Sequence, residues 1–363
     1  GKGIATFKMD SLDIFGDQLA IENEAGGVTV SSLDGLHAES LLLPVDRMND
    51  VEGAQFSPDG RFLAYSNRAR SAIWDVKARK RVGMMRGFRS VRFDDNDQMF
   101  AQYPQAGARP GQNFHIDLKT GKATAGPPYA IDQFQRTDVL VTFQPQDKSG
   151  GVGENVILQV ADVATGSALW TKRYPHDVPL VREVEDGTVI LQMPFIGDTA
   201  QGEAKHKPIK TSDWKNEWIS HGLLVELVDS RTGEIKHAFQ APESYQYWNG
   251  YDTRSTVVYG DFMVIRGIYN NSTIYSIADG KRLGAFYGRT LTGNGALGLL
   301  AVTNLDQEVT ILDAHNGRQL KQVTLDEVPL SARFIAADKT LLVLTASQTV
   351  YTIPIEPGSG AGK

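Results

Sequence analysis

Along this chain, apolar runs of four to eight residues alternate with polar positions and end at Gly, Pro, Asn or Asp, as half-buried β-strands joined by tight turns do. No window of eleven residues holds an apolar stripe at helical spacing, so the predicted class is all-β. The strands recur in a set order. Asp117-Leu118-Lys119-Thr120-Gly121, Asp162-Val163-Ala164-Thr165-Gly166 and Asp229-Ser230-Arg231-Thr232-Gly233 share the form D-x-x-T-G, and Asp313-Ala314-His315-Asn316-Gly317 differs only in its fourth residue. Aspartate can accept hydrogen bonds from the backbone N–H groups ahead of it, and glycine accepts the positive φ that closes a hairpin. Weaker copies stand at Asp34-Gly35, Asp75 to Lys80 and Asp279-Gly280.

The turn aspartates at 34, 75, 117 and 162 are spaced by about 41 to 45 residues, and 229 to 313 is two such periods, the repeat of a four-stranded propeller blade. The interval from 162 to 229 exceeds one period by about 24 residues and marks an insertion. A second hairpin precedes each turn, clearest where Pro58-Asp59-Gly60 joins the apolar runs of Ala54 to Tyr65. Each period thus predicts four strands, A to D. The predicted fold is a β-propeller of eight four-stranded blades, with seven as the alternative. The lone strand Ile4 to Met9 would supply the fourth strand of the last blade and close the ring, removing two exposed sheet edges. On this reading residues 1–356 are one domain, 195–222 form a loop inserted in the fifth blade, and 357–363 are a flexible tail.

The stretch Ala161-Asp162-Val163-Ala164-Thr165-Gly166-Ser167-Ala168-Leu169-Trp170 resembles the repeat of quinoprotein-like propellers of the pyrroloquinoline-quinone type, A-x-D-x-x-T-G-x-x-x-W. Phe56-Ser57-Pro58-Asp59-Gly60 and Ile73-Trp74-Asp75-Val76 look like WD-repeat blades. The resemblance spans most of the chain and implies blade architecture, with Trp170 in the place of the family's docking tryptophan. Members without a cofactor are scaffolds, so it also implies binding rather than turnover, and a periplasmic or secreted bacterial setting. The adjacent cysteine pair of many quinone dehydrogenases of the family has no counterpart in a chain with no cysteine. No cofactor is expected.

Composition narrows the function classes. With 41% hydrophobic and 22% charged residues, the balance is globular and excludes a disordered or collagen-like chain. The net charge of -6 supplies no field that would draw the chain to a phosphate backbone, so nucleic acid is not an expected partner. The longest apolar stretch, Ala296 to Val302, is far shorter than the ~20 residues of a spanning helix, and no membrane span is predicted.

Four long connections, Gln102 to Asn113, Gln144 to Asn155, Phe195 to Gly222 and Pro242 to Tyr251, join B to C or D to A, and antiparallel order sends them all to one face. The largest carries His206, Trp214, Trp218 and His221; the last carries Tyr245, Tyr247, Trp248 and Tyr251. Such aromatics pair apolar area with hydrogen-bonding edges and suit a protein partner, with carbohydrate as the alternative. Trp214 and Trp218, four residues apart, would equally form the apolar side of a short turn that only seats the insertion. Arg92, Arg182 and Arg333, with Gln55 and Gln133, hold similar places on A strands and are candidates to line a polar central channel; an enzyme of this fold would work there. No catalytic or metal-ligating set is expected. Gly293-Asn294-Gly295-Ala296-Leu297-Gly298 fits G-x-G-x-x-G but leads into a strand, Leu299 to Thr303, where a dinucleotide site needs a helix N-terminus.

Overall fold

A computed structural model of the protein describes residues 11–355, except 16–17, 23–27, 33–38, 44–46, 89, 94–95, 104–110, 130–132, 136–138, 146–155, 163–164, 175–179, 185–187, 195–222, 242–255, 267–269 and 305–306. The strands come in groups of four, except for a last group of three. The first group is β1 (Ser11–Phe15), β2 (Gln18–Glu22), β3 (Val28–Ser32) and β4 (Glu39–Leu42). The second is β5 (Gly53–Phe56), β6 (Phe62–Ser66), β7 (Arg70–Asp75) and β8 (Lys80–Arg86). Next come β9 (Ser90–Phe93), β10 (Gln98–Tyr103), β11 (Gly111–Asp117) and β12 (Lys122–Tyr129), then β13 (Gln133–Gln135), β14 (Val139–Pro145), β15 (Val156–Asp162) and β16 (Ala168–Tyr174). β17 (Leu180–Val184), β18 (Thr188–Pro194), β19 (Leu223–Asp229) and β20 (Ile235–Ala241) precede β21 (Val257–Tyr259), β22 (Phe262–Arg266), β23 (Asn271–Ser276) and β24 (Arg282–Tyr287). The last are β25 (Arg289–Asn294), β26 (Leu299–Thr303), β27 (Glu308–Asp313), β28 (Gln319–Thr324), β29 (Pro329–Ile335), β30 (Thr340–Thr345) and β31 (Thr349–Pro354).

The turns form as their residues dictate. Asp117 Oδ1 accepts the N–H groups of Lys119 and Thr120, Asp229 Oδ1 those of Arg231 and Thr232, and Asp162 Oδ1 that of Thr165, all at 2.9–3.0 Å. Gly121, Gly166, Gly233 and Gly317 then take φ of 68–75°, which costs a residue with a Cβ about 1 kcal/mol or more. In the copy at Asp75 the carboxylate accepts from Ala78 and Arg79 takes the left-handed position, at φ 54°. Each of these turns joins the third and fourth strands of a sheet. The glycine-rich stretch 293–298 is the hairpin between β25 and β26, with Gly298 N–H donating to Gly295 O at 3.0 Å.

Six sheets are four-stranded antiparallel meanders in chain order, β5–β8 through β25–β28. The seventh holds seven strands in the order β1-β2-β3-β4-β31-β30-β29. β4 pairs on one edge with β3 and on the other with β31, Leu41 opposite Val350. Ile4 to Met9, the strand expected to complete the last blade, lies outside the described residues; in its place on the β31 edge stands β4.

The core is a series of apolar layers between successive sheets. Phe56, Leu63, Tyr65 and Trp74 pack with Leu41, Ile335, Leu342 and Val350, so β5–β8 rests directly on the sheet of β29–β31. Phe62, Ile73, Phe93 and Met99 join β5–β8 to β9–β12; Val225, Leu227, Met263 and Tyr275 join β17–β20 to β21–β24. Val264, Leu300 and Leu312, then Ile311, Phe334 and Val343, continue the series. First strands therefore lie side by side, β21 by β25, β25 by β29, β29 by β5 and β5 by β9.

Trp170 behaves as the sequence resemblance implies. From β16 its indole N–H donates to Ser230 O in the next sheet's turn at 2.8 Å. Its ring lies over Gly233, where a Cβ would come within 2.9 Å of the ring atoms. Beside it, Lys172 Nζ meets the buried Glu226 carboxylate at 2.9 Å, a second tie between the same two sheets.

Candidate functional site

Antiparallel order gives every sheet two ends, one carrying the first-to-second and third-to-fourth turns, the other the remaining connections. On that second end, Pro194 is opposite Leu223, and Leu223 is opposite Ala241. Connections 195–222 and 242–256 therefore rise from one row of three residues. Tyr103 opposite Gln112 and Pro145 opposite Val156 root connections 104–110 and 146–155 on the same end of the two preceding sheets. His206, Trp214, Trp218, His221, Tyr245, Tyr247, Trp248 and Tyr251 belong to these connections and lie outside the described residues, but the strands that carry them fix where they begin and end.

Elsewhere on this end the connections are short and stitched to one another. Asn67 Oδ1 accepts the N–H groups of Ala69 and Arg70 at 2.9 and 3.0 Å, and its Nδ2 donates to Asn49 O. Ser66 Oγ accepts from Phe88 N–H at 2.8 Å, and Leu325 N–H donates to Gln307 O at 2.7 Å. The tightest stitch is Gln348, fully buried at φ 58°. Its Oε1 accepts from Met48 N–H at 2.7 Å and its Nε2 donates to Met48 O at 3.2 Å, so one side-chain amide pairs with a backbone residue as a neighbouring strand would. The connections of this end are thus unequal in length: short over β5–β8 and β21–β31, long over β9–β20.

Arg92, Arg182 and Arg333 fall on the first strands β9, β17 and β29, opposite Phe100, Ile190 and Leu342 on the second strands. Arg333 is close enough to Tyr259 for its charge to oppose the effect of burial, which pushes the Tyr259 hydroxyl up. Gln55 lies on β5, with its side-chain oxygen buried and without a hydrogen-bond partner among the described residues. Among the described residues no three His, Asp or Glu side chains converge to hold a metal, and no helix is long and apolar enough to cross a membrane.

Two features escape a reading of single repeats. At the opposite end, a groove of about 430 Å³ between β5–β8 and the seven-stranded sheet is lined by the apolar side chains of Leu41, Val76, Ile335 and Leu342. Its rim carries Asp59, Arg61 and Lys77, and Asp75 holds Arg61 at 2.8 Å. On the connection-bearing end, Arg266 closes β22 and Arg289 opens β25. Neither is at the mid-strand place that drew attention to Arg92, Arg182 and Arg333; the signal was a glycine, Gly288, immediately before a strand-opening arginine.

No protein-family model matches the sequence, and no curated protein matches it. Among solved structures, the chain resembles the computationally designed propeller protein Ika8, with a TM-score of 0.51 at 11% identity over 95% of each chain. BamB from Moraxella catarrhalis aligns over 99% of this chain and 98% of its own, at 12% identity and a TM-score of 0.47. The fold of this chain is that of a β-propeller.

Proposed function

We propose that the protein is a non-catalytic propeller that binds a protein partner through the face built up over β9–β20. The supporting observation is the common root of connections 195–222 and 242–256 at Pro194, Leu223 and Ala241, since the sequences of these two connections carry Trp214, Trp218, Tyr245, Tyr247, Trp248 and Tyr251. A cluster of aromatics ringed by polar side chains has the composition of an interface centre. On this reading the propeller has seven blades in one domain, β4 completes the blade of β29–β31, and β1–β3 extend that blade outward. The direct packing of β5–β8 on β29–β31 supports that count, since it leaves no gap for an eighth blade between them.

The test is retention of a partner from an extract of the source cell by the wild type, by Trp218→Ala and Trp248→Ala, and by a chain with 199–219 replaced by a Gly-Ser linker. All are first matched for thermal stability. A protein held by the wild type and lost at least ten-fold by the three variants supports the proposal. Equal retention by all four overturns it, and glycan binding lost in the same variants would replace protein with carbohydrate as the ligand.

A further inference from the structure

We propose that Arg266 and Arg289 form a binding site for an oxyanion, the carboxylate or phosphate group of a small ligand, on the connection-bearing end between the sheets of β21–β24 and β25–β28. Neither arginine belongs to the long connections inferred above to meet a protein partner.

The two arginines are brought together by a short chain of contacts. Arg266 stands opposite Ser272 in the β22–β23 ladder, and Ser272 Oγ donates to Gly288 O at 3.2 Å. Gly288 N–H donates to Asn270 O at 2.8 Å, and Arg266 Nη2 donates to Asn270 Oδ1. Arg289 follows directly. Only glycine fits at 288: its φ is 124°, and a Cβ would lie 2.3 Å from Thr303 O. That contact seats Gly288 against the end of β26, while its bonds to Asn270 and Ser272 tie the start of β25 to the β22–β23 hairpin.

Both guanidinium groups are incompletely satisfied. Nε of Arg266 and Nε of Arg289 are buried and have no hydrogen-bond partner among the described residues, while each residue as a whole is half-buried. Arg289 spends Nη2 on Pro329 O at 2.9 Å, and Arg266 spends Nη2 on Asn270. Both acceptors are neutral. Among the described residues no carboxylate lies within ion-pair distance of either arginine, and burial together with the Arg266 charge lowers the proton affinity of Arg289. Two arginines linked through Asn270 and Gly288, with no carboxylate beside them among the described residues and N–H groups still unfilled, match an oxyanion that accepts from both.

The experiment is isothermal calorimetry and thermal unfolding with inorganic phosphate and with succinate, each against chloride at equal ionic strength, on the whole chain. Wild type, Arg266→Gln, Arg289→Gln and the exposed control Arg282→Gln are compared. Phosphate, succinate or both should bind the wild type and raise its unfolding temperature beyond chloride. Arg266→Gln and Arg289→Gln should weaken that binding at least ten-fold, with Arg282→Gln within two-fold of wild type. Whichever anion binds identifies the oxyanion. Arg266→Gln should also keep the unfolding temperature in chloride close to that of the wild type, since it gives up one hydrogen bond to Asn270 and removes an unfilled buried donor, which separates loss of the site from loss of the fold. Equal stabilisation by all three anions, or binding unchanged in both arginine variants, overturns the proposal.

Discussion

Replacing Gln348 with alanine should cost the protein about 3 kcal/mol. The side-chain amide is fully buried and serves both backbone groups of Met48, accepting from its N–H at 2.7 Å and donating to its carbonyl at 3.2 Å. Alanine removes both partners and leaves a buried donor and a buried acceptor, each costing about 1–3 kcal/mol when orphaned. The positive φ of 58° is carried by a residue with a Cβ in either case, so backbone strain cancels from the difference. Equilibrium urea denaturation followed by tryptophan fluorescence suits the measurement, because Trp74 lies in the apolar layer between the same two sheets. Gln348→Glu refines it. The carboxylate keeps an acceptor for Met48 N–H but turns an oxygen toward Met48 O, so at pH 7 it should be no more stable than the alanine variant. Burial raises the folded pKa of such a glutamate above its unfolded value of about 4.3, so this variant should gain on the alanine variant as pH falls from 7 toward 5. A loss of less than about 1 kcal/mol for Gln348→Ala, with an unchanged m-value, would refute the pairing of Gln348 with Met48 as a structural bond.

Three further outcomes follow from the ties between sheets and from the turns. Trp170→Phe keeps a ring over Gly233 but loses the indole bond to Ser230 O, and should cost about 1 kcal/mol by the same denaturation assay, against about 2–3 kcal/mol for Trp170→Ala. Lys172→Met leaves the Glu226 carboxylate, 6% exposed, without its cation and should cost about 3 kcal/mol at pH 7, with much of the loss returning when Glu226 is also made Gln. Backbone N–H donors at Thr232 and Arg231, with Lys236, hold the Asp229 carboxyl down at about 2, so its contribution is complete above the ordinary carboxylate pKa of about 3.9 and is lost as pH falls toward 2. Asp229→Asn should therefore flatten the fall of the urea midpoint between pH 5 and 2, and an unchanged slope would count against the turn bonds as its cause.

The turns were legible because their chemistry is local. In D-x-x-T-G the aspartate, the N–H groups it caps and the glycine that takes positive φ lie within five residues, so Asp117, Asp162 and Asp229 announce their turns before any packing is known. The hairpin at 293–298 could be separated from a phosphate loop for the same reason: the strand that follows it is visible in Leu299 to Thr303. The strand on the β31 edge was not legible. Pairing there is made by backbone groups that every short alternating strand offers, and Ile4 to Met9 offers them as well as Glu39 to Leu42 does. What singles out β4 is the burial of Leu41 among Phe56, Ile335 and Val350, contacts some three hundred residues apart in part, which no local pattern encodes.

The same distinction explains why the candidate binding chemistry was only half readable. Long connections advertise themselves by breaking a period, so the insertion at 195–222 and its aromatics could be found by counting. Arg266 and Arg289 break nothing. Each is an ordinary polar residue at the end of an ordinary strand, and they become unusual only when the fold leaves the Nε of each buried without a hydrogen-bond partner among the described residues. Repetition makes a propeller easy to recognise because each blade repeats the solution of its neighbours. The two proposed sites are both departures from the repeat: one is written in sequence length, at 195–222, and the other, at Arg266 and Arg289, only in the hydrogen bonds that the folded chain leaves unmade.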